Sequence, residues 1–492
     1  MSILIRNGLL LKKDCRSWYR GDILVEDGRI SNIGSQISIE SQSIEEVVDA
    51  SGKLVLPGLI NAHTHSYGGL LKGLVDNVPL DIYMLYAIAA GGRRSERAIY
   101  ISTIIDAIQM VKGGVTSVCD HFSQRPFLEL EGIMAAVQAF RDSGMRAIVA
   151  PMFSDRSFYS SLPLMPEEFP PEVKEEQTGG GKAVRRQSAE EFIGVCEEAI
   201  RKWHDPGVGG RIRIALGTDG PQRCSEKLLR LTGELEEKYS VGWHTHVLEA
   251  KTQAIKSAEL YGKGIVEYLS DDLGIINERC SLVHAVWLNP REMGIIADRG
   301  AIVVHCPQSN LHLGSGIAPI PELLQKKTNV ALGTDGGNLG NLSMFETLRY
   351  AILMHRIHEV DYERWIKAAD ILRLMYDGGA RVMQSKGKIG LLERGARADI
   401  IILDVNKASW QPMNNPTNQL VFYENGSSVD TVFVEGRLLL REGKITFTSE
   451  AEIFAEAVEI ANRVRRDNEA SLKKVERQIP YLRKMYLRAM KE

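Results

Sequence analysis

Eight short apolar runs, each closed by a polar residue, dominate the middle of the chain, and most precede a segment with helical periodicity. Continuous Val, Ile and Leu residues are typical of strands buried on both faces, and strand–helix alternation indicates parallel pairing. Eight such units predict an α/β fold built on a (β/α)8 TIM barrel, over residues 57–384. The runs are LVLPGLINAH, VTSVCDH, RAIVAPM, RIRIALGTD, VGWHTH, CSLVHA, AIVVHC and NVALGTD.

The two chain ends have a different pattern, with short strand-like runs such as DILVEDGRI and TVFVEG separated by Gly, Asn and Asp turn residues. Residues 1–56 and 385–447 therefore predict the two halves of one small β-sandwich domain. Residues 448–492 predict a helical tail, whose apolar stripe could cover the barrel or a second subunit, so a homo-oligomer stays possible. The polar, Pro- and Gly-rich stretch 153–190 predicts a surface insertion or lid.

The composition of the chain limits the class of binding partner. Among 492 residues, 60 Lys+Arg balance 63 Asp+Glu for a net charge of −3, which favours a small-molecule partner over nucleic acid or a membrane surface. The six cysteines are widely spaced, so neither a disulfide framework nor a cysteine zinc module is indicated, and we expect a cytoplasmic protein. No stretch is apolar enough for a transmembrane span, and the first residues resemble a strand rather than a signal peptide.

Metal ligands stand where the apolar runs end. In a barrel of this type the site lies at the carboxyl ends of the strands. The first run ends in His63 and His65, whose side chains share one face of an extended backbone. His246, His284 and Asp335 close the fifth, sixth and eighth runs. A lone His-x-His could be a buried structural pair, but these residues together predict a metal site.

Two motifs are duplicated, HTH at 63–65 and 244–246 and ALGTDG at 215–220 and 331–336. His244 precedes the strand end by two residues, so we expect it one layer deeper than His246, as a buried histidine or a support for the ligands. Asp335 closes the strand that neighbours the first strand in a closed barrel. Asp219 closes the fourth, about half-way round, so we expect Asp335 and not Asp219 to bind metal.

The order of LPGLINAHTH, HTHVLEAKTQ, LVHAVWL, CPQSNLHLGSG and ALGTDGG resembles the amidohydrolase superfamily. Within it, the chain is most similar to the branch that holds the adenosine-type and S-adenosylhomocysteine deaminases, guanine deaminase and the s-triazine hydrolases. The resemblance covers nearly the whole chain, since a β-domain built from both termini is also a family feature. Its motifs are specific for fold and metal but not for substrate.

The resemblance implies that His63, His65, His246 and Asp335 bind one divalent metal, with Glu249 as a proton shuttle and His284 as the group that polarises the substrate. Zinc is the expected metal, with Fe²⁺ or Mn²⁺ as alternatives. Such a metal lowers the pKa of its water from about 15.7 toward 7, and Asp335 could accept the proton. The run at strand 4 ends without the Lys of two-metal relatives, so a mononuclear site is expected. Glu249 could instead be a solvated carboxylate at a helix start, opposite Lys251.

The pattern also marks candidate substrate contacts. Asp219 stands where related deaminases have a substrate-binding His, but it could equally cap the following helix. The polar loop after strand 7 could contact substrate or only close the loop, and two aromatic residues could stack on a flat ring or simply pack. Asp120 and His121 could line the pocket or support it. The loop and aromatic candidates are Gln308, Asn310, His312, Tyr67 and Trp287.

Glu249 and His284 together favour a hydrolytic deaminase that replaces an exocyclic amino group of a purine, pyrimidine, triazine or similar heterocycle and releases ammonia. An alternative is a hydrolase that expels an alkylamine, chloride or a ring amide nitrogen from the same addition intermediate. A non-catalytic scaffold is a remote third alternative, because such relatives typically lack several of the ligands that this chain retains.

Overall fold

Parallel strands buried on both faces form the centre of the molecule. In the computed structural model, which describes residues 2–38, 44–177, 186–205 and 210–492, these strands make a nearly closed eight-stranded barrel whose fourth strand is split in two. The predicted (β/α)8 fold is thereby confirmed. The barrel strands are Leu59–Thr64, Val115–Phe122, Arg146–Phe153, Ile212–Ile214 with Leu216–Thr218, Trp243–Val247, Cys280–His284, Ile302–His305 and Asn329–Leu332.

The last strand returns to the first through backbone hydrogen bonds. The amides of Thr334 and Asp335 both donate to the carbonyl of His63, at 3.1 Å each. This closure places the end of the eighth run beside the His-x-His motif of the first strand, as the order of the runs predicted.

Helices surround the barrel, and several of them begin at a serine that caps the first turn. Ser95, Ser225 and Ser343, for example, each accept a backbone amide of the first turn through the hydroxyl. The α-helices of the described chain are Leu80–Ala90, Glu96–Lys112, Leu130–Ser143, Pro171–Gln177, Ala189–Trp203, Glu226–Tyr239, Lys251–Tyr261, Ile265–Glu267, Pro290–Arg299, Pro307–His312, Ile320–Gln325, Met344–Arg356, Ala368–Arg373, Gly379–Val382, Pro416–Phe422, Glu450–Asp467 and Glu469–Ala489.

The chain ends meet in a second, nine-stranded sheet, in which Lys53–Pro57 pairs antiparallel with Ile400–Asp404. The first strand pairs with one neighbour along its first half and another along its second, so the sheet branches over its own apolar core. A buried ion pair between Arg146 and Asp399 (3.0 Å) ties this sheet to the barrel. Its strands are Ser2–Leu11, Trp18–Glu26, Arg29–Gly34, Glu46–Asp49, Lys53–Pro57, Ile400–Asp404, Val429–Val434, Arg437–Arg441 and Lys444–Ile445.

The two tail helices lie on the barrel of their own chain. Ile453 and Ile460 pack in one apolar cluster with residues of Glu96–Lys112, and Leu482 and Met485 pack in another with residues of Leu80–Ala90. The apolar stripe of the tail is thus largely used within the chain. No described helix is long and apolar enough to cross a membrane.

The predicted insertion begins as an irregular segment with short helical turns at Tyr159–Ser161 and Pro166–Glu168 before the helix Pro171–Gln177. Arg488 of the tail binds Glu168 at 2.9 Å, which anchors the segment. The part of the predicted lid at 178–185 lies outside the described residues.

Candidate active site

The carboxyl ends of four barrel strands place four histidines and one aspartate around a single point. Leu59–Thr64 brings His63 and His65 there, since residues two apart in a strand share a face. The other strand ends supply His246, His284 and Asp335. His63, His284 and Asp335 are at most 3% exposed.

The distances within this group are short enough for the atoms to coordinate one cation. His65 Nε2 lies 3.1 Å from His246 Nε2 and 3.3 Å from Asp335 Oδ1. His63 Nε2 lies 3.5 Å from the same Asp335 oxygen, and His284 Nε2 lies 3.9 Å from the other. One cation between these atoms could contact several of them at once.

Backbone carbonyls orient two of the imidazoles. The Nδ1 atom of His65 lies 2.7 Å from the carbonyl of His121, and Nδ1 of His246 bonds the carbonyl of Asp219. A carbonyl can only accept, so each Nδ1 must carry the proton and each Nε2 keeps a free lone pair.

A histidine pair orients the third imidazole and accounts for the second HTH motif. His63 Nδ1 lies 2.8 Å from His244 Nε2, and His244 Nδ1 lies 2.6 Å from the hydroxyl of Ser281. With Nδ1–H of His63 donating to His244, His63 Nε2 is left as an acceptor. His244 is therefore the deeper, hydrogen-bonded histidine that its position predicted, and it holds His63.

These residues fit a divalent cation. Burial keeps the pKa of His63 well below its usual value, so its imidazole is neutral and able to donate a lone pair. Burial alone would raise the pKa of the Asp335 carboxyl, but the neighbouring imidazoles of His63 and His65 outweigh burial and hold that pKa well below its usual range. The buried Nε2 atoms of His63 and His284 have no hydrogen-bond partner in the described chain, which a bound metal or substrate would supply.

Glu249 is buried beside this group rather than exposed to solvent. It is 5% exposed and lines the cavity, with Oε2 at 3.5 Å from His284 Nε2. Burial, reinforced by the charge of Asp335, raises its pKa well above the usual value. The alternative of a solvated carboxylate opposite Lys251 is thereby corrected, because the Lys251 ammonium instead lies 5.9 Å from the centre of the Trp287 ring.

His284 and Asp335 adopt backbone conformations that side-chain-bearing residues rarely use. Their φ angles are 71° and 65°, in the left-handed region. The amide oxygen Oδ1 of Asn310 accepts a hydrogen bond from Nδ1 of His284 at 2.9 Å and fixes that ring. Such strained positions at two strand ends are typical of functional sites.

Asp219 also lines the cavity, but its carboxylate binds Arg223 four residues on. Burial opposes ionisation of Asp219, yet the charge of Arg223 and that of His246 keep its pKa below the usual value. Ser225, not Asp219, caps the following helix, because its hydroxyl accepts from the amide of Leu228. The capping alternative for Asp219 is therefore wrong.

The remaining substrate candidates separate into two groups. Tyr67 lines the cavity. The others do not reach its wall among the described residues: Asn310 lies behind His284, His312 is exposed, and Trp287 is 38% exposed with its indole N–H donating to the carbonyl of Ser315 (2.8 Å). Gln308, in the amide orientation that satisfies both partners, pairs with the backbone of Asn341 at 2.8 and 3.0 Å. These four residues are not among those that line the cavity, and their contact with substrate stays a prediction.

Asp120 and His121, at the end of the second strand, act from behind the ligands. Asp120 accepts hydrogen bonds from the amide (2.8 Å) and the hydroxyl (2.6 Å) of Ser66, so it holds the turn after the His-x-His motif. The ring of His121 stacks on that of His65, with 5.5 Å between centroids.

The cavity above these residues has an empty volume of about 1100 Å³, part of it open to solvent, which is ample for a heterocycle with a substituent. Much of its wall comes from loops and from the helix Leu80–Ala90, which strand-end reasoning missed. For the loop residues, the sequence signal is polar residues in short segments between apolar runs. The missed residues include Asp81, Tyr83, Arg94, Ser123, Gln124, Arg125, Phe158, Gln222, Arg223 and Asn338.

Comparison with known sequences gives a consistent result. The model of the amidohydrolase family matches residues 54–439. A 5'-deoxyadenosine deaminase from Methanothermobacter thermautotrophicus is 32% identical over 451 residues, covering 91% of this chain and 95% of the relative. A 5-methylthioadenosine/S-adenosylhomocysteine deaminase from Thermococcus sibiricus is 30% identical over 444 residues, covering 89% and 94%.

Solved structures are similar over the same extent. An adenosine deaminase from Xanthomonas campestris with bound zinc has a TM-score of 0.80 at 25% identity, covering 94% of this chain and 98% of that one. An atrazine chlorohydrolase from Arthrobacter aurescens complexed with zinc has a TM-score of 0.83 at 25% identity, covering 93% and 100%.

Proposed function

The chain belongs to the amidohydrolase family, and we propose that it is a metal-dependent deaminase that replaces an exocyclic amino group of a nitrogen heterocycle and releases ammonia. The observation that carries this proposal is the meeting of His63, His65, His246 and Asp335 beside a buried Glu249 whose pKa is raised well above its usual value. Hydrolysis needs an activated water and a proton donor; a metal held by these four residues would supply the first and Glu249 the second.

His63, His65, His246 and Asp335 would hold the metal. When bound, a divalent metal would supply an activated water at neutral pH by lowering its pKa. Each of the three imidazoles already presents Nε2, since its Nδ1 is bound elsewhere.

Glu249 would supply the proton. Burial raises the pKa of Glu249 and so favours the protonated carboxyl, which would donate to the ring nitrogen that gains electron density as water adds. His284 lies 3.5 Å from Glu249 and is fixed by Asn310, so it would orient the reacting carbon's substituent. Asp335, an ionised carboxylate in the same group, would accept the proton of the attacking water.

We propose zinc as the resident metal, since three imidazoles and one carboxylate suit it and two similar solved structures carry zinc. A single ion is proposed, because no Lys closes the fourth strand. The six cysteines are all free and buried, which suits the reducing cytoplasm that we propose as the compartment. Adenosine-type nucleosides, on which the named relatives act, are the first substrates to test.

The test is ammonia release by the zinc-loaded enzyme from a panel of aminated heterocycles: adenosine and 5'-substituted derivatives, guanine, cytosine, pterin and melamine-type triazines. Glu249→Gln with full zinc content is the matched control. We expect ammonia from one ring class, abolished in the variant.

Absence of ammonia from every ring, with zinc bound, would contradict the proposed deamination. Chlorinated and alkylaminated triazines belong in the same assay because the similar chlorohydrolase acts on atrazine. Release of chloride or alkylamine without ammonia would favour a hydrolase with another leaving group.

A further inference from the structure

One wall of the active-site cavity lies between the cavity and the last tail helix, Glu469–Ala489. This wall is the helix Leu80–Ala90, which lines the cavity through residues such as Tyr83. Its other side carries Ile82 and Leu85, which pack in one apolar cluster with residues of the tail helix. The wall is therefore a single helix thick, and the tail helix covers its outer face.

A second part of the wall is the irregular segment 158–168, which follows the third barrel strand. Phe158 and Leu162 of this segment line the cavity. Leu162 is 4% exposed and packs in the same apolar cluster as the tail helix. Several hydrogen bonds of the segment are local, such as the one from the Ser161 amide to the carbonyl of Phe158 at 3.1 Å. Local bonds shape such a turn, but they do not hold it in place against the rest of the molecule.

Polar side chains of the tail helix bind segment 158–168 at three points. Arg488 donates from Nε and Nη2 to the two carboxylate oxygens of Glu168, at 3.0 and 2.9 Å. The same guanidinium donates to the carbonyl of Pro163. Farther along the tail helix, Gln478 accepts a hydrogen bond from the hydroxyl of Tyr159 at 2.8 Å. Pro163 and Tyr159 each directly follow a cavity-lining residue, so the tail helix anchors the segment beside both of them.

The pair between Arg488 and Glu168 differs from an exposed ion pair. Glu168 is 1% exposed, and burial opposes its ionisation, yet Arg488 and the amide of Met165 hold its pKa below the usual value. The guanidinium binds both carboxylate oxygens, which is stronger than a single contact. By contrast, Lys484 lies 4.0 Å from Glu167, and both of these side chains are more than half exposed, so that pair contributes little.

We propose that Arg488 is a positioning residue for substrate binding. Through Glu168 and Pro163, it fixes segment 158–168 in the cavity wall. A wall held in the shape that binds substrate lowers KM, because the apparent affinity is proportional to the fraction of molecules that have that shape. The groups proposed for the chemical step come from other segments, so kcat does not depend on this anchor. This inference rests on the proposed deamination, because it concerns substrate binding in the same site.

The first measurement is steady-state kinetics of the zinc-loaded enzyme on the ring that it deaminates. In Arg488→Gln, we expect KM to rise about 10-fold, with kcat and zinc content close to wild type. Arg488→Lys keeps a cationic donor and should recover part of the loss. Lys484→Gln, on the same helix, is the matched control and should leave KM unchanged. An unchanged KM in Arg488→Gln, or a loss confined to kcat, would overturn the proposal and leave deamination intact.

Hydrogen–deuterium exchange tests the anchor without a substrate. Amides of segment 158–168 should exchange about 10-fold faster in Arg488→Gln than in wild type or Lys484→Gln, because the anchor no longer opposes local opening. Gln478→Ala removes the bond from Tyr159 and should have a smaller effect of the same kind on exchange and on KM, which keeps the test open if Arg488→Gln does not fold. Exchange equal to wild type in these variants would overturn the anchor.

The rate at which the chelator dipicolinate removes zinc separates the two proposals. If no ring releases ammonia, deamination fails, and this rate replaces KM as the measure of the cavity wall. Faster removal from Arg488→Gln than from Lys484→Gln would then support the anchored wall, and equal rates would overturn it.

Discussion

The hexapeptide ALGTDG ends two strands of the same barrel, yet its two aspartates have different surroundings. Asp335 lies 3.3 Å from His65 Nε2 and 3.5 Å from His63 Nε2, and its backbone is left-handed. Asp219 binds Arg223 and presents only its backbone carbonyl to a metal-site histidine. Identical local sequence therefore gives a candidate ligand in one copy and a structural ion pair in the other.

Neighbours outside the repeat decide the difference. Four residues after Asp219 stands Arg223, whereas four residues after Asp335 stands Leu339. Barrel closure brings the His-x-His motif to Asp335, because the amides of Thr334 and Asp335 donate to the carbonyl of His63. The role of each aspartate thus follows from topology rather than from its own motif.

The largest effect is expected from Asp335→Asn. The neutral amide replaces the only carboxylate among the proposed ligands, so bound zinc and ammonia release should both be lost. Metal content by plasma mass spectrometry checks this, with Asp219→Asn as the matched substitution in the other copy. Equal zinc loss in the two variants would remove the distinction between them.

Glu249→Gln should keep zinc and fold but lower kcat by about 10²–10⁴-fold. Burial raises the pKa of Glu249, so the wild-type enzyme should lose kcat as the pH rises through that raised pKa and the carboxyl ionises. Steady-state pH profiles of both proteins test this assignment. A variant with wild-type turnover, or one whose residual activity keeps the same alkaline decline, would exclude Glu249 as the proton donor.

The sequence alone predicted the features that depend on hydrophobic periodicity and on the order of the apolar runs along the chain. Continuous apolar runs predicted the barrel, and the polar residue at each run's end predicted His63, His246 and Asp335 as neighbours. These predictions work because strand direction and barrel closure fix which ends meet. The role of His244 also followed, since it lies one layer deeper than His246.

The cavity-lining residues that come from loops could not be predicted in the same way. Arg94 and Arg125 come from loops, where no periodicity specifies which side chain faces inward. The sequence also offers His312, in the polar segment after strand 7, and Trp287, just behind the strand 6 motif, as substrate contacts, yet both side chains are exposed. Loop geometry depends on tertiary packing, which local sequence does not express.

A smaller effect is expected from His244→Gln, which tests whether the second HTH motif serves the first. Loss of a defined acceptor for His63 Nδ1–H should weaken zinc affinity about 10- to 100-fold, while kcat at saturating zinc stays close to wild type. Competition with a chromogenic chelator measures the affinity, and His312→Gln, at an exposed histidine, is the control. Unchanged affinity would make His244 a packing residue only.

The smallest effect on turnover is expected from Asp219→Asn, because its side chain is held by Arg223 rather than by a metal. Zinc content and kcat should stay close to wild type, but the free energy of unfolding should fall by about 3–5 kcal/mol, since Arg223 is left as a buried cation without a partner. Asp219→Asn combined with Arg223→Gln removes that cation as well and should recover part of the loss in urea titrations.

If the single variant is as stable as wild type, or if the double variant is less stable than the single one, the ion pair is not what the first ALGTDG contributes. The comparison between the two aspartates would then have to rest on metal content alone.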